Sequence, residues 1–296
     1  MGLTKYERRV TRIQQQIDSL ADEATVPEAE IEDGSSPELH HIMCPLPCNV
    51  FNLASFLREN RLDPAVKVGK EFFDPSANPH FPQGFIPKMK DHLLSRLHGY
   101  EYDRDERSFT DDERNDLRII GGLNRAIQST ILRINYTTYD IRCGQDVLQP
   151  GPKCFVFTLS REDGPDAHPF WYAQVLWAFH IEVLHTGPDA RCRSSQTMEL
   201  LWVRWLGVEP KYRWGFHTAW LPKVGFVPES DDHVFGFLDP SLIIRGCHLI
   251  PCFPDGHTTA LLKQGHSIAR DPMEEDDQRS FYVNMYVVWH FTNTQM

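Results

Sequence analysis

Between Arg204 and Lys223 four cations, Arg204, Lys211, Arg213 and Lys223, alternate with Trp205, Tyr212, Trp214, Phe216 and Trp220. Glu209 is the only acidic member of that stretch. Cationic groups pair with phosphates and aromatic faces stack on bases, so this pattern suits a single strand of nucleic acid. The same aromatics suit a methylated lysine held by cation–π attraction. The candidate ligand-binding set is therefore Arg204, Lys211, Tyr212, Arg213, Trp214 and Lys223. The plainer alternative places Trp205 and Trp220 in the core and the basic residues on ordinary surface.

Two further constellations have the residue types of metal chemistry. His180-Ile-Glu182 puts an imidazole and a carboxylate two residues apart, on one face if the segment is a strand. With His248 or His257 they would form the facial triad of a non-haem iron oxygenase on a β-barrel. Cys247, His248, Cys252 and His257 carry zinc-type ligands, with Cys44-Pro-Leu-Pro-Cys48 as a distant second pair. However, Cys247 and Cys252 differ by an odd number and fall on opposite faces of a straight strand. Buried thiols and a solvated sheet face are the simpler readings, and no metal or cofactor is expected. No phosphate-cradling glycine loop, nucleophile elbow or hydrolase triad is present, so the sequence does not read as an enzyme.

The elements that would position these residues read as strands. Ala173, Val175, Trp177, Phe179, Ile181 and Val183 alternate with polar Gln174, His180 and Glu182, the period of a half-buried strand. Glu199–Leu206 and Leu242–Ile250 are largely apolar runs, and six of the seven tryptophans lie between Trp171 and Trp220. Leu117–Ile120 and Ile127–Tyr139 flank Gly121-Gly122 and predict a hairpin, with Leu132, Ile134 and Tyr136 on one face. Phe155–Leu159, Val224–Val227 and Phe281–Val288 complete about eight strands, and Asp271–Gln278 reads as an acidic surface loop.

Upstream, Leu3, Tyr6, Val10, Ile13, Ile17 and Leu20 recur at helical spacing, giving an amphipathic helix within residues 1–22 that can contact a partner. An acidic linker follows over 23–38. Residues 39–114 read as a helical and irregular adaptor, irregular from Pro45 to Pro87 apart from a helix at Asn49–Asn60. A second helix spans Lys88–His98 with Gly99 as its stop, and Thr110-Asp-Asp-Glu113 fits a capping box. Residues 115–290 then form a partly open, β-barrel-like domain, and the whole is an α+β protein that is mainly β.

At 296 residues, 41% apolar and 11% aromatic, the composition is that of a globular chain. No apolar run approaches a membrane span and no secretory signal pattern opens the sequence. Seven cysteines at irregular spacing suggest reduced thiols. The net charge of −11 is uneven: residues 1–116 hold 14 basic and 22 acidic side chains, 117–270 hold 15 and 14, and 271–296 hold 1 and 5. An acidic chain has no long-range attraction for phosphate backbones, so any nucleic-acid contact has to be local.

Ten motifs fall in a recognisable order: Asn135-Tyr-Thr-Thr-Tyr-Asp140, Gln145-Asp146, His168-Pro-Phe-Trp-Tyr-Ala173, Leu201-Trp-Val-Arg-Trp205, Gly225-Phe-Val-Pro228, Phe235-Gly-Phe-Leu-Asp-Pro240, Ile244-Arg-Gly246, His248-Leu-Ile-Pro251, Ser267-Ile-Ala-Arg270 and Tyr282-Val-Asn-Met285. With Phe85–Arg96 upstream, they resemble the C-terminal region of large proteins encoded by fungal cut-and-paste DNA transposons of the Plavaka type, in the CACTA-like group. The resemblance spans about residues 85–288. It implies a non-catalytic accessory region, because the acidic-triad nuclease of that family lies upstream of the segment matched. It further implies a nuclear location and DNA or a histone or other chromatin protein as partner. More distantly, Trp171-Tyr-Ala-Gln-Val, Leu201-Trp-Val-Arg-Trp and Ile244-Arg-Gly-Cys-His-Leu look like the strand order of a bromo-adjacent homology domain.

Overall fold

The computed structural model describes residues 40–66, 84–102, 107–120, 126–137, 143–162, 167–210, 212 and 221–284, of which 44–51, 137 and 143 are described as backbone only. The chain divides into Met1–Glu38 and Leu39–Met296, and all described residues belong to the second unit. The amphipathic helix expected within 1–22 and the linker over 23–38 lie outside the described residues.

Strand β1 (His41–Phe51) occupies a stretch expected to be irregular. Its prolines are accommodated because the pairing with its neighbour breaks register on either side of Pro45, where a missing ladder N–H costs little. Helix α1 (Leu53–Glu59) begins only after the strand ends, with Asn52 Oδ1 accepting from the Ser55 N–H at 2.8 Å. Helix α2 (Phe85–Leu97) starts three residues before the expected Lys88. Pro87 sits in its first turn, where the lost N–H has no helical partner. Gly99, at φ +67°, stops the helix as expected. Helix α3 (Asp111–Asp116) carries the predicted reciprocal cap between Thr110 and Glu113.

Strand β2 (Leu117–Ile119) pairs with β6 and not, as the hairpin expectation had it, with β3 (Ala126–Thr137). It is followed by β4 (Cys143–Leu148), β5 (Phe155–Leu159), β6 (Phe170–His185) and β7 (Gln196–Val208). Next come β8 (Lys223–Phe226), β9 (Phe235–Leu238), β10 (Ile243–Gly246) and β11 (Leu249–Pro251). The short β12 (His257–Thr258) and β13 (Asp277–Gln278) and then β14 (Phe281–Val283) close the described chain. Twelve strands form one sheet along the path β1-β3-β6-β7-β8-β14-β11, with β4 added on β3, β2 and β5 on β6, β10 on β5 and β9 on β7. β12 and β13 make a separate ribbon. The sheet is open, and the fold is α+β and mainly β. Between β4 and β10 the Asp146 carboxylate stands in for strand pairing, accepting from the Gly246 N–H at 3.0 Å and from Arg245 Nε at 3.1 Å. No helix among the described residues is long and apolar enough to cross a membrane.

β7 is covered on both faces. Trp202 joins a cluster with Leu53, Leu57, Phe85, Met89 and Leu93, so α1 and α2 share a core with the sheet. Leu201, Val203 and Trp205 point into a second cluster with Leu132, Ile134 and Val156. β6 does not keep one apolar face. A bulge between Val175 and Trp177 shifts its register against β7, so Ala173 and Val175 belong to the second cluster but Phe179, Ile181 and Val183 to the first. One inserted residue exchanges the faces of everything beyond it.

Candidate functional site

The basic-aromatic stretch is divided by the fold. Lys211, Arg213 and Trp214 lie outside the described residues. Arg204 is fully buried on the Trp202 face of β7. Its Nη1 and Nη2 donate to the two oxygens of Asp277 at 2.8 and 3.0 Å, and its guanidinium carbon lies 3.9 Å from the centre of the Phe226 ring. Arg270 grips the same carboxylate from the other side, at 3.2 and 3.1 Å, and donates to the carbonyls of Leu262, Lys263 and Gly265. Burial raises the Asp277 carboxyl, but the two guanidinium groups outweigh it and hold it below the usual range. Arg204 is therefore a structural cation and not a phosphate ligand, which corrects its place in the candidate set.

Tyr212 and Lys223 do come together. Lys223 Nζ sits 5.7 Å from the Tyr212 ring centre and 6.0 Å from that of Tyr282, its cross-strand neighbour. It is also ion-paired with Asp255 Oδ2 at 2.5 Å, and that bond draws the Asp255 carboxyl down to about 2. The ammonium is thus already matched by a carboxylate.

His180 finds a different carboxylate from the one its spacing suggested. Glu182 is exposed, and His180 Nε2 lies 3.0 Å from Glu199 Oε1, on the residue directly opposite in β7. His41 Nε2 approaches the other oxygen of Glu199 at 2.6 Å. His180 Nδ1 lies 3.3 Å from Ser129 Oγ, so a hydroxyl, an imidazole and a carboxylate stand in line as they do in hydrolases. Ser129 is fully buried, however, and no substrate carbonyl can reach it. The chain of contacts ties β1, β3, β6 and β7 together.

Of the zinc-type set, Cys247 and Cys252 are both buried free thiols, and burial pushes the Cys247 thiol up. Cys252 Sγ contacts the Tyr282 hydroxyl at 3.5 Å, and His257 Nδ1 pairs with Asp276 at 2.9 Å. The side chains of Cys44 and Cys48 lie outside the described set. Among the described residues no three His, Cys, Asp or Glu side chains converge as a metal-binding group.

Sequence reasoning missed a hollow of about 460 Å³ beside the Arg270–Asp277 cluster. Phe155, Phe226 and Phe281 form one of its walls, with ring centres 5.6 to 6.5 Å apart. Asp271, Glu274 and Asp276 line its other side, within the stretch that had read as a plain acidic loop. Lys153 reaches across to Asp271 at 2.6 Å, and that hydrogen bond raises the lysine and lowers the carboxyl. The phenylalanines come from three strands far apart in sequence, so no local pattern could have joined them to the acidic loop. Comparison with protein-family models, with curated proteins and with solved structures returned no match.

Proposed function

We propose that this chain is a non-catalytic interaction module of a transposon-derived protein, acting on a basic protein component of chromatin in the nucleus and not on naked DNA. The transposon assignment is supported by the ordered motifs that run from Asn135-Tyr-Thr-Thr-Tyr-Asp140 to Tyr282-Val-Asn-Met285. The choice of a protein partner rests on one observation. The two described cations of the basic-aromatic stretch, Arg204 and Lys223, are each held by a carboxylate of the fold. A phosphate would have to displace Asp277 or Asp255, and in the case of Arg204 it would have to do so in the interior. Meanwhile the net charge of −11 favours cationic partners.

Titration of the full chain with a short DNA duplex and with purified core histones, at about 0.15 M salt, tests this reading. Histones are expected to bind more tightly than the duplex. Tight duplex binding with a steep salt dependence, together with no histone binding, would return the DNA reading to first place.

A further inference from the structure

We propose that the hollow between the phenylalanine wall and the acidic loop receives lysine side chains of a basic peptide segment, an inference that rests on the protein-partner reading above. A lysine carries a long apolar stem and a compact, strongly hydrated ammonium, so its site needs a greasy wall beside carboxylates that stay near water. Phe155, Phe226 and Phe281 supply the wall, and Phe253, 77% exposed, extends it at the open edge. Glu274 is exposed, and Asp276, which His257 Nδ1 also approaches at 2.9 Å, is half-buried, so both carboxylates can keep a hydrated ammonium without desolvating it.

The positive charge that lines the hollow is already committed: the His257 imidazole rests on Asp276, and the two permanent cations are Arg270 and Lys153. Arg270 is spent on Asp277 and on three backbone carbonyls. Lys153 is the other cation, and its ammonium rests on Asp271 while its side chain is 82% exposed. The fold thus already rests one ammonium on a carboxylate of this loop. An ion pair so exposed is weak and is readily exchanged for a lysine that also brings contact with the wall. A phosphate or a carboxylate ligand would meet the acidic loop, so an anionic partner does not fit.

The test uses the full chain and a fluorescent synthetic peptide with spaced lysines, set against the same peptide with its lysines acetylated. The lysine peptide is expected to bind and the acetylated one to lose that binding. Lys153→Ala frees Asp271 and should tighten binding roughly two- to five-fold, whereas Arg118→Ala, on the exposed face of β2, should not. Phe253→Ala and the double variant Glu274→Gln, Asp276→Asn should each weaken binding by roughly the same factor. Because Phe253 and Glu274 are exposed, these variants are expected to fold, and far-UV circular dichroism checks it. Equal binding of the acetylated peptide, or variants that bind as the parent does, would overturn the inference and leave the module reading standing. If neither the lysine peptide nor the histones bind, both fall.

Discussion

Glu199 stands between two imidazoles, His180 at 3.0 Å and His41 at 2.6 Å. The bond from His180, then that from His41, lowers its carboxyl from the usual 4.5 to about 2, against a smaller opposing effect of burial. A depressed carboxyl stabilises the fold above its unfolded value and loses that contribution as pH falls through the folded one. The window here runs from pH 4.5 down to about 2. Because the side chain is 28% exposed, about 2–3 kcal/mol is expected from this group. Glu199→Gln should destabilise the protein near neutral pH and flatten the acid limb of its stability curve. Urea unfolding at a series of pH values measures both, and an unchanged acid limb in the variant would refute the assignment. In sequence the carboxylate that shares a strand face with His180 is Glu182, whereas the one it meets in the fold is Glu199. Spacing along a strand shows which residues share a face, but the partner that matters lies across the ladder, and cross-strand register is not written in either strand alone.

At the scale of elements, the Arg204–Asp277–Arg270 cluster pins the ribbon of β12 and β13 and the loop from Leu262 to Asp277 against β7. Arg204, a charged residue amid the apolar run Leu201–Leu206, reads in sequence as a ligand contact or as ordinary surface. The structure gives it a buried partner 73 positions later, supplied by a loop whose acidity looked like mere solvation. Asp277 is the only carboxylate on these two guanidinium groups among the described residues, so its removal leaves two buried cations facing each other. Asp277→Asn should therefore cost about 3–5 kcal/mol. Exchange protection of the amides of β12 and β13 should fall with it, which hydrogen–deuterium exchange resolves by segment. A variant as stable as the parent would show that the cluster does not hold the loop. For the same reason, neutralising Arg204 reports on folding, and a loss of ligand binding in such a variant carries no information about a ligand site.

For the molecule as a whole, β7 is the strand on which the two main cores meet, and its tryptophans fall on opposite faces. The sequence made the strand and its apolar character legible, because a run without alternation signals burial on both sides. It did not reveal the bulge in β6 or the docking of α1 and α2, since both depend on partners distant in the chain. Trp202 touches Phe85 of α2 at 4.7 Å and Phe237 of β9 at 4.6 Å, ring centre to ring centre, and donates its indole N–H to the Ala65 carbonyl at 2.9 Å. Trp205 lies in the other cluster, near Tyr102 at 6.5 Å. Truncating either leaves a cavity worth about 3–5 kcal/mol, and Trp202→Ala also strands the Ala65 carbonyl. If helices and sheet form one cooperative unit, Trp202→Ala should lower the midpoint of a single transition, with the helical signal at 222 nm and the tryptophan fluorescence changing together. Loss of the helical signal at lower denaturant than the fluorescence change would instead mean that α1 and α2 unfold separately from the sheet, and that Trp202 is the seam between two units.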